Sequence, residues 1–126
     1  MSIRPVTLSD AATWARLRAE LWPDDHRTEV DAYFRGELDE PEAVFLIESD
    51  NQEVVGFVEL SVRMDVPSRE GHATGFVEGL YVTERARHSG VARALLRRAQ
   101  DWARERGCDG FGADRAGRYI LDPRFR

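Results

Sequence analysis

The 126-residue chain contains a single cysteine, Cys108, so an internal disulfide is impossible and a thiol-rich metal site cannot form. Its three histidines, His26, His72 and His88, show no paired ligand spacing, and no metal is expected. No run approaches the roughly 18 unbroken apolar residues that a membrane span needs. The first twenty residues are interrupted by Arg4, Asp10, Arg16 and Arg18, which is not a signal-peptide pattern. A soluble, cytoplasmic protein with no membrane partner is therefore expected. Positive charge is also in short supply: Lys+Arg number 18 against 23 Asp+Glu, for a net charge of -5. Neutralising phosphates requires a basic face, so no nucleic-acid partner is expected, and a cationic or neutral one is favoured.

What the chain does have is material for one core. At this length, 42% hydrophobic and 10% aromatic residues fit a single domain over residues 1–126. Ser2–Val6 alternates as a short strand. Thr7 with Asp10 three positions on is a helix-start signal, and Ala12, Ala15, Leu17, Leu21 and Trp22 supply an apolar stripe that Pro23 closes. Thr28–Leu38 reads as a second helix, ended near Pro41. Ala43–Glu48 and Val54–Arg63 read as strands joined by a turn at Asn51-Gln52. In the second of these, Glu59 and Ser61 are the polar neighbours that alternate with the apolar residues. Met64–Thr74, with Pro67 and Gly71, reads as a loop, and Gly75–Thr83 as a strand. Gly90 opens a long helix to Arg106, with Val91, Leu95, Ala99 and Trp102 at helical spacing, and Gly107 closes it. Gly110–Ala113 reads as a last strand, and Cys108 beside it as a small core hydrophobe. The order β-α-α-β-β-β-α-β implies an α+β fold with a mixed, mostly antiparallel sheet flanked by helices. Residues Arg115–Arg126 hold four arginines and one aspartate, an atypical basic tail in an acidic chain.

The chemistry concentrates where the strand ending at Val82 meets the long helix. A turn of Arg87-His88-Ser89-Gly90 leads directly into Val91-Ala92-Arg93. Unpaired N–H groups at a helix N-terminus, with the positive end of its dipole, form a site for a phosphate or pyrophosphate. Gly90 lets the backbone approach closely, Ala92 keeps the first turn slim, and Arg87 and Arg93 add charge-assisted contacts. The spacing fits an ordinary glycine-capped connection equally well. Neither a Walker loop nor a dinucleotide fingerprint is present, because Gly-Lys-Ser/Thr and the three-glycine spacing are both lacking.

Arg87-x-x-Gly90-x-Ala92 after an apolar strand, followed by Leu95-Leu96, resembles the acetyl-CoA motif of the GCN5-related N-acetyltransferases. Leu17-Arg18, Leu21-Trp22-Pro23, Gly56-Phe57 and Phe76-Val-Glu78-Gly79-Leu-Tyr-Val82 are similar to one branch, the aminoglycoside 6'-N-acetyltransferases. Gly90-Val-Ala92, Trp102, Gly107-Cys108 and Ala113-Asp114 extend the likeness, which covers roughly residues 2–114. The resemblance implies acetyl-CoA as co-substrate, with its pyrophosphate on Arg87, His88, Ser89, Gly90, Val91, Ala92 and Arg93. The pantetheine arm would lie beside Leu80, Tyr81 and Val82, and the Tyr81 N–H would polarise the thioester carbonyl. The implied reaction is direct attack by a neutral amine, with no covalent enzyme intermediate. Glu78 and Asp114 would line the site of a polycationic amine, one of them taking its proton, and Trp22 would form a platform against its rings. His88 reads also as an exposed turn residue.

The sequence departs from the family pattern at several points. Glu84 stands where a proline is usual, Ser89 where a basic or small residue is common, and Val66 where the branch has an aromatic. After Asp114 the family's Asn-containing loop, helix and final strand are not recognisable, nor is its thiolate-protonating tyrosine; Tyr119 is the one tyrosine after the long helix. The resemblance then implies an exposed sheet edge near Phe111, self-association as a homodimer to cover it, and slow turnover. Two other readings stand beside this one: an acetyltransferase for another small amine or peptide, and a weakly active CoA-binding relative.

Overall fold

The computed structural model describes residues 1–115 and 117–125. Six strands form one sheet in chain order: β1 (Ser2–Pro5), β2 (Ala43–Glu48), β3 (Val54–Arg63), β4 (Thr74–Val82), β5 (Gly110–Arg115) and β6 (Arg118–Leu121). Every neighbouring pair is antiparallel except β4 with β5. That parallel pair needs a long crossover, and α3 (Val91–Glu105) supplies it. Helices α1 (Ala11–Leu21) and α2 (Arg27–Phe34) precede β2.

Side chains alternate across each strand, so the sheet has two buried faces. On one, Val91, Leu95, Ala99, Trp102 and Ala103 of α3 pack on Val58, Leu60, Val77 and Phe111, with Cys108 in the same cluster. The expected helical stripe of α3 and the core role of Cys108 both hold; burial also pushes the Cys108 thiol up. On the other face, Trp14, Leu17, Val30, Leu46 and Phe57 form a second cluster under α1 and α2. Trp14 is fully buried and meets Tyr33 and Phe34 edge-on, whereas Ala12 is exposed. The α1 stripe therefore runs through Trp14, Leu17 and Leu21.

Three expectations change. Helix α2 stops at Phe34 rather than Leu38, because Gly36 takes the left-handed conformation (φ 72) and its N–H bonds back to Tyr33. The polar side of the β3 alternation is not a solvated one: Glu59 and Ser61 are both buried, Glu59 against Trp14 and Arg18 of α1. The tail also folds: β6 pairs Gly112 with Leu121 and Asp114 with Tyr119, so β5 is not a bare edge. Gly117, at φ 78, lies in the turn that returns the chain. Phe125 is buried and stacks on Phe111 with ring centroids 5.6 Å apart. Two residues of the basic tail, Ala116 and Arg126, lie outside the described residues.

At the start of the chain, Arg4 grips the Asp10 carboxylate through two nitrogens at 2.7 and 2.8 Å, and the Thr7 N–H donates to the same group. The Arg4 guanidinium holds the Asp10 pKa at about 2, against the opposing effect of burial. A depressed carboxylate pKa stabilises the fold above its unfolded value and loses that contribution as pH falls through the folded one. Asp10→Asn is therefore expected to cost about 1–2 kcal/mol at pH 7. The gap from wild type should close between pH 4 and 2 in chemical-denaturation curves.

Candidate functional site

β4 and β5 pair only over Thr74–Val77 and Gly110–Ala113. A bulge explains the parting. Glu59 faces Gly79 across the β3–β4 ladder, but the next residue, Leu60, faces Val77, so Glu78 is the extra residue and β4 bends there. Beyond it, β4 continues along β3 to Val82 with no strand partner on the β5 side among the described residues. Only those backbone groups that alternate away from β3 open into the cleft between the two strands.

The direction of those groups corrects one assignment. The Thr83 N–H donates to the Val55 carbonyl, toward β3. By two-residue alternation the Tyr81 amide points the same way and is not a donor into the cleft. Leu80 and Val82 face it instead, and the Val82 carbonyl already accepts from Arg87 Nε at 3.0 Å. The Tyr81 ring packs near Phe57 and under the Arg87 guanidinium. Leu80 lines a cavity of about 610 Å³, and Val82 lines a second of about 430 Å³.

The smaller cavity is the turn before α3. Arg87, His88, Gly90, Val91, Ala92 and Arg93 line it; the Ser89 hydroxyl is turned back to the Ala86 carbonyl. Gly90 is the N-cap at φ 84, and His88 is also left-handed at φ 65, so successive amides converge on one side. The first helical bond runs from Ala94 N–H to Gly90 O, which leaves the amides of Val91, Ala92 and Arg93 at the open helix end. A Cβ at Gly90 would meet nothing within 4 Å. These features fit an anion such as a pyrophosphate.

The larger cavity brings together Trp22, Glu78 and Asp114, which lie far apart in the chain. Asp114 stands on the exposed end of β5, and among the described residues it has no ion-pair partner. Glu78 is different. Arg63 binds it through two nitrogens, at 2.8 and 2.7 Å, and also reaches Glu40 at 3.0 Å. Burial, and then the neighbouring Glu78 carboxylate, holds Glu40 above the ordinary carboxylate range. Trp22 lies against Gly79, where a Cβ would come within 2.4 Å of its ring. Only glycine leaves room for that indole.

Sequence reasoning missed Gln100 and Asp122, which are bonded to each other at 2.9 Å on the cavity wall, and Arg115 beside Asp114. No local signal marks them, because β6 alone carries Asp122 into place. Tyr119 packs near Phe76 and does not line the cavity. Among the described residues no group of acidic, histidine or cysteine side chains is arranged to hold a metal, and no helix is long and apolar enough to cross a membrane.

The geometry agrees with the comparisons to known proteins. The model of the acetyltransferase (GNAT) family matches residues 10–115. The aminoglycoside N(6')-acetyltransferase type 1 of Klebsiella aerogenes is 39% identical over 116 residues, 89% of this chain and 76% of that protein. Its namesake from Stenotrophomonas maltophilia is 41% identical over 114 residues, 90% and 74% of the two chains. Among solved structures, an aminoglycoside 6'-N-acetyltransferase of Acinetobacter haemolyticus superposes with a TM-score of 0.79 at 32% identity, covering 92% of this chain and 80% of the other. AAC(6')-Iy bound to the bisubstrate analogue CoA-S-monomethyl-acetylneamine gives 0.78 at 29% identity, covering 91% and 79%. With a parted β4–β5 pair, a glycine-capped α3 and a family match over most of its length, the chain belongs to the GNAT family of acetyltransferases.

Proposed function

We propose that the protein transfers the acetyl group of acetyl-CoA to a primary amine of an aminoglycoside or a similar polycation. The observation that carries this reading is the arrangement along β4: Leu80 lines the cavity that holds Trp22, Glu78 and Asp114, and Val82 lines the one formed by the turn before α3. The open amides at Gly90–Arg93 would hold the pyrophosphate, and the β4 edge at Leu80 and Val82 would pair with the pantetheine arm. A backbone N–H of that edge would stabilise charge developing on the thioester oxygen.

The amine must lose a proton before it attacks, and Asp114, without an ion-pair partner among the described residues, would accept it directly or through water. Glu78, already bound by Arg63, contributes field and position rather than proton transfer. Attack breaks the C–S bond of the thioester and forms the amide, so no protein nucleophile is needed. The relatives named above act on aminoglycosides, which supports a polyamine acceptor. The Arg63 ion pair and Arg115 moderate the negative charge of the cavity, and this supports a second reading, a smaller and less highly charged amine.

An acetyl-transfer assay reading release of free CoA separates the two. Kanamycin should be acetylated faster than spermidine or an N-terminal peptide. Turnover with peptide alone would support the second reading, and none with any amine would overturn both. Self-association through the short exposed edge at β6, where Tyr119 and Ile120 are 44% and 50% exposed, belongs to the same proposal. Sedimentation at micromolar concentration should give a dimer; a monomer there would reject it.

A further inference from the structure

Trp22 is held by more than Gly79. It is the C-cap of α1, and Pro23 forces the chain to leave the helix there. His26, four residues on, is buried, with its Nε2 2.6 Å from the Trp22 carbonyl and its Nδ1 2.8 Å from Glu29 Oε2. A carbonyl oxygen only accepts. Glu29 Oε2 also takes a hydrogen bond from Arg18 Nη2 at 3.1 Å, so it too is an acceptor. A neutral imidazole carries one N–H and satisfies one of these partners; both contacts together require the imidazolium. The cation then sits at the C-terminal end of α1, where the helix dipole favours it.

The Arg18 guanidinium lies 5.1 Å from the centroid of the indole. Arg18 is itself fixed by the buried Glu59 at 3.1 Å, and Glu59 accepts from Trp14 Nε1 at 3.0 Å. The platform residue is thus the end of a chain of contacts running through Trp14, Glu59, Arg18, Glu29 and His26. We propose that His26 is the positioning residue for acceptor binding: its imidazolium ties the Trp22 backbone to Glu29 and so fixes the indole that walls the amine cavity. The inference rests on the reading of that cavity as the acceptor site.

The charged groups around His26 are Arg18 from α1, Asp25 beside it, Glu29 from α2 and Glu59 from β3. Burial lowers the His26 pKa, but the Trp22 carbonyl and Glu29 outweigh it against Arg18, and the net displacement is upward. A raised histidine pKa means that the clamp is complete below the ordinary value of about 6.5 and is lost as pH rises through the folded value.

Two measurements test this. In the wild-type protein, nitrogen-15 NMR of the imidazoles, assigned against His26→Gln, should show both His26 nitrogens protonated at pH 7; a neutral ring there overturns the proposal. In kinetics with kanamycin, His26→Gln should raise the amine KM by about tenfold at pH 6.5, with kcat and the acetyl-CoA KM within about twofold. The ratio to wild type should shrink toward one as pH rises through the His26 titration point found by NMR, where wild type loses the same proton. Equal amine KM at every pH, or parallel loss in all three constants, overturns the positioning role.

Trp22→Leu distinguishes the levels of the argument. A raised amine KM in Trp22→Leu beside an unchanged His26→Gln rejects the clamp alone. An unchanged KM in Trp22→Leu rejects the acceptor cavity itself. Should His26→Gln fail to fold, Glu29→Gln, at a half-exposed residue, replaces it and should lower the His26 titration point while raising the amine KM.

Discussion

Asp114→Asn is expected to lower kcat/KM for the amine by about 100-fold or more, while the KM for acetyl-CoA stays within about twofold. The asymmetry follows from where the carboxylate stands. It lies on β5 past Ala113, the last residue paired with β4, so it belongs to the open part of the cleft. Asparagine keeps its shape and its strand pairing with Tyr119 but has no basic oxygen to accept the ammonium proton. The deficit should narrow as pH rises toward the pKa of the amine, because solvent then removes the proton that Asp114 would have taken. Glu78→Gln should behave differently. It strips Arg63 of its bidentate partner and leaves that guanidinium to Glu40, so lost stability should accompany a smaller loss in kcat. Wild-type acceptor kinetics in a folded Asp114→Asn protein would leave that residue a solvated rim carboxylate.

The contrast between these two acids shows what could be read from sequence and what could not. Both acids are marked in the sequence by the family motifs, but the Arg63–Glu78 pair forms across β3 and β4, fifteen residues apart. Long-range pairing of this kind leaves no local trace. The same holds for Glu59, whose partners Trp14 and Arg18 precede it by 45 and 41 residues. A lone acid in a strand reads as solvent-facing until the helix above it is known. Helix α3 was legible because its signals are local: a glycine N-cap, a repeating apolar stripe and a closing glycine. The direction of the Tyr81 amide is hidden in the sequence because it depends on ladder register, and the β4 bulge that opens the cleft is equally silent there. β6 was obscured by Pro123 and the run of arginines, although Gly117 marks its turn.

Gly90→Val should weaken CoA binding by about tenfold or more, the loss of one or two charge-assisted N–H contacts. At φ 84 this glycine holds a conformation that a β-branched residue resists, and relaxing it would swing the amides of Val91 and Ala92 away from the turn. Because a Cβ meets no neighbour there, the damage should come through backbone direction and through crowding of a bound phosphate, not through a clash within the fold. Some stability will be lost as well, about 1–2 kcal/mol for a left-handed β-branched residue. Helix α3 carries its own control at the opposite end. Gly107 closes the helix at φ 77, also with open space around it, and its replacement by valine imposes comparable strain far from the phosphate turn. Calorimetric titration of CoA into both variants separates the two effects. If Gly107→Val loses similar stability yet binds CoA like wild type while Gly90→Val does not, the turn is the pyrophosphate site. Equal CoA affinity in a folded Gly90→Val protein would remove the anion from this helix end, and equal losses in both variants would reduce the glycine to a helix cap.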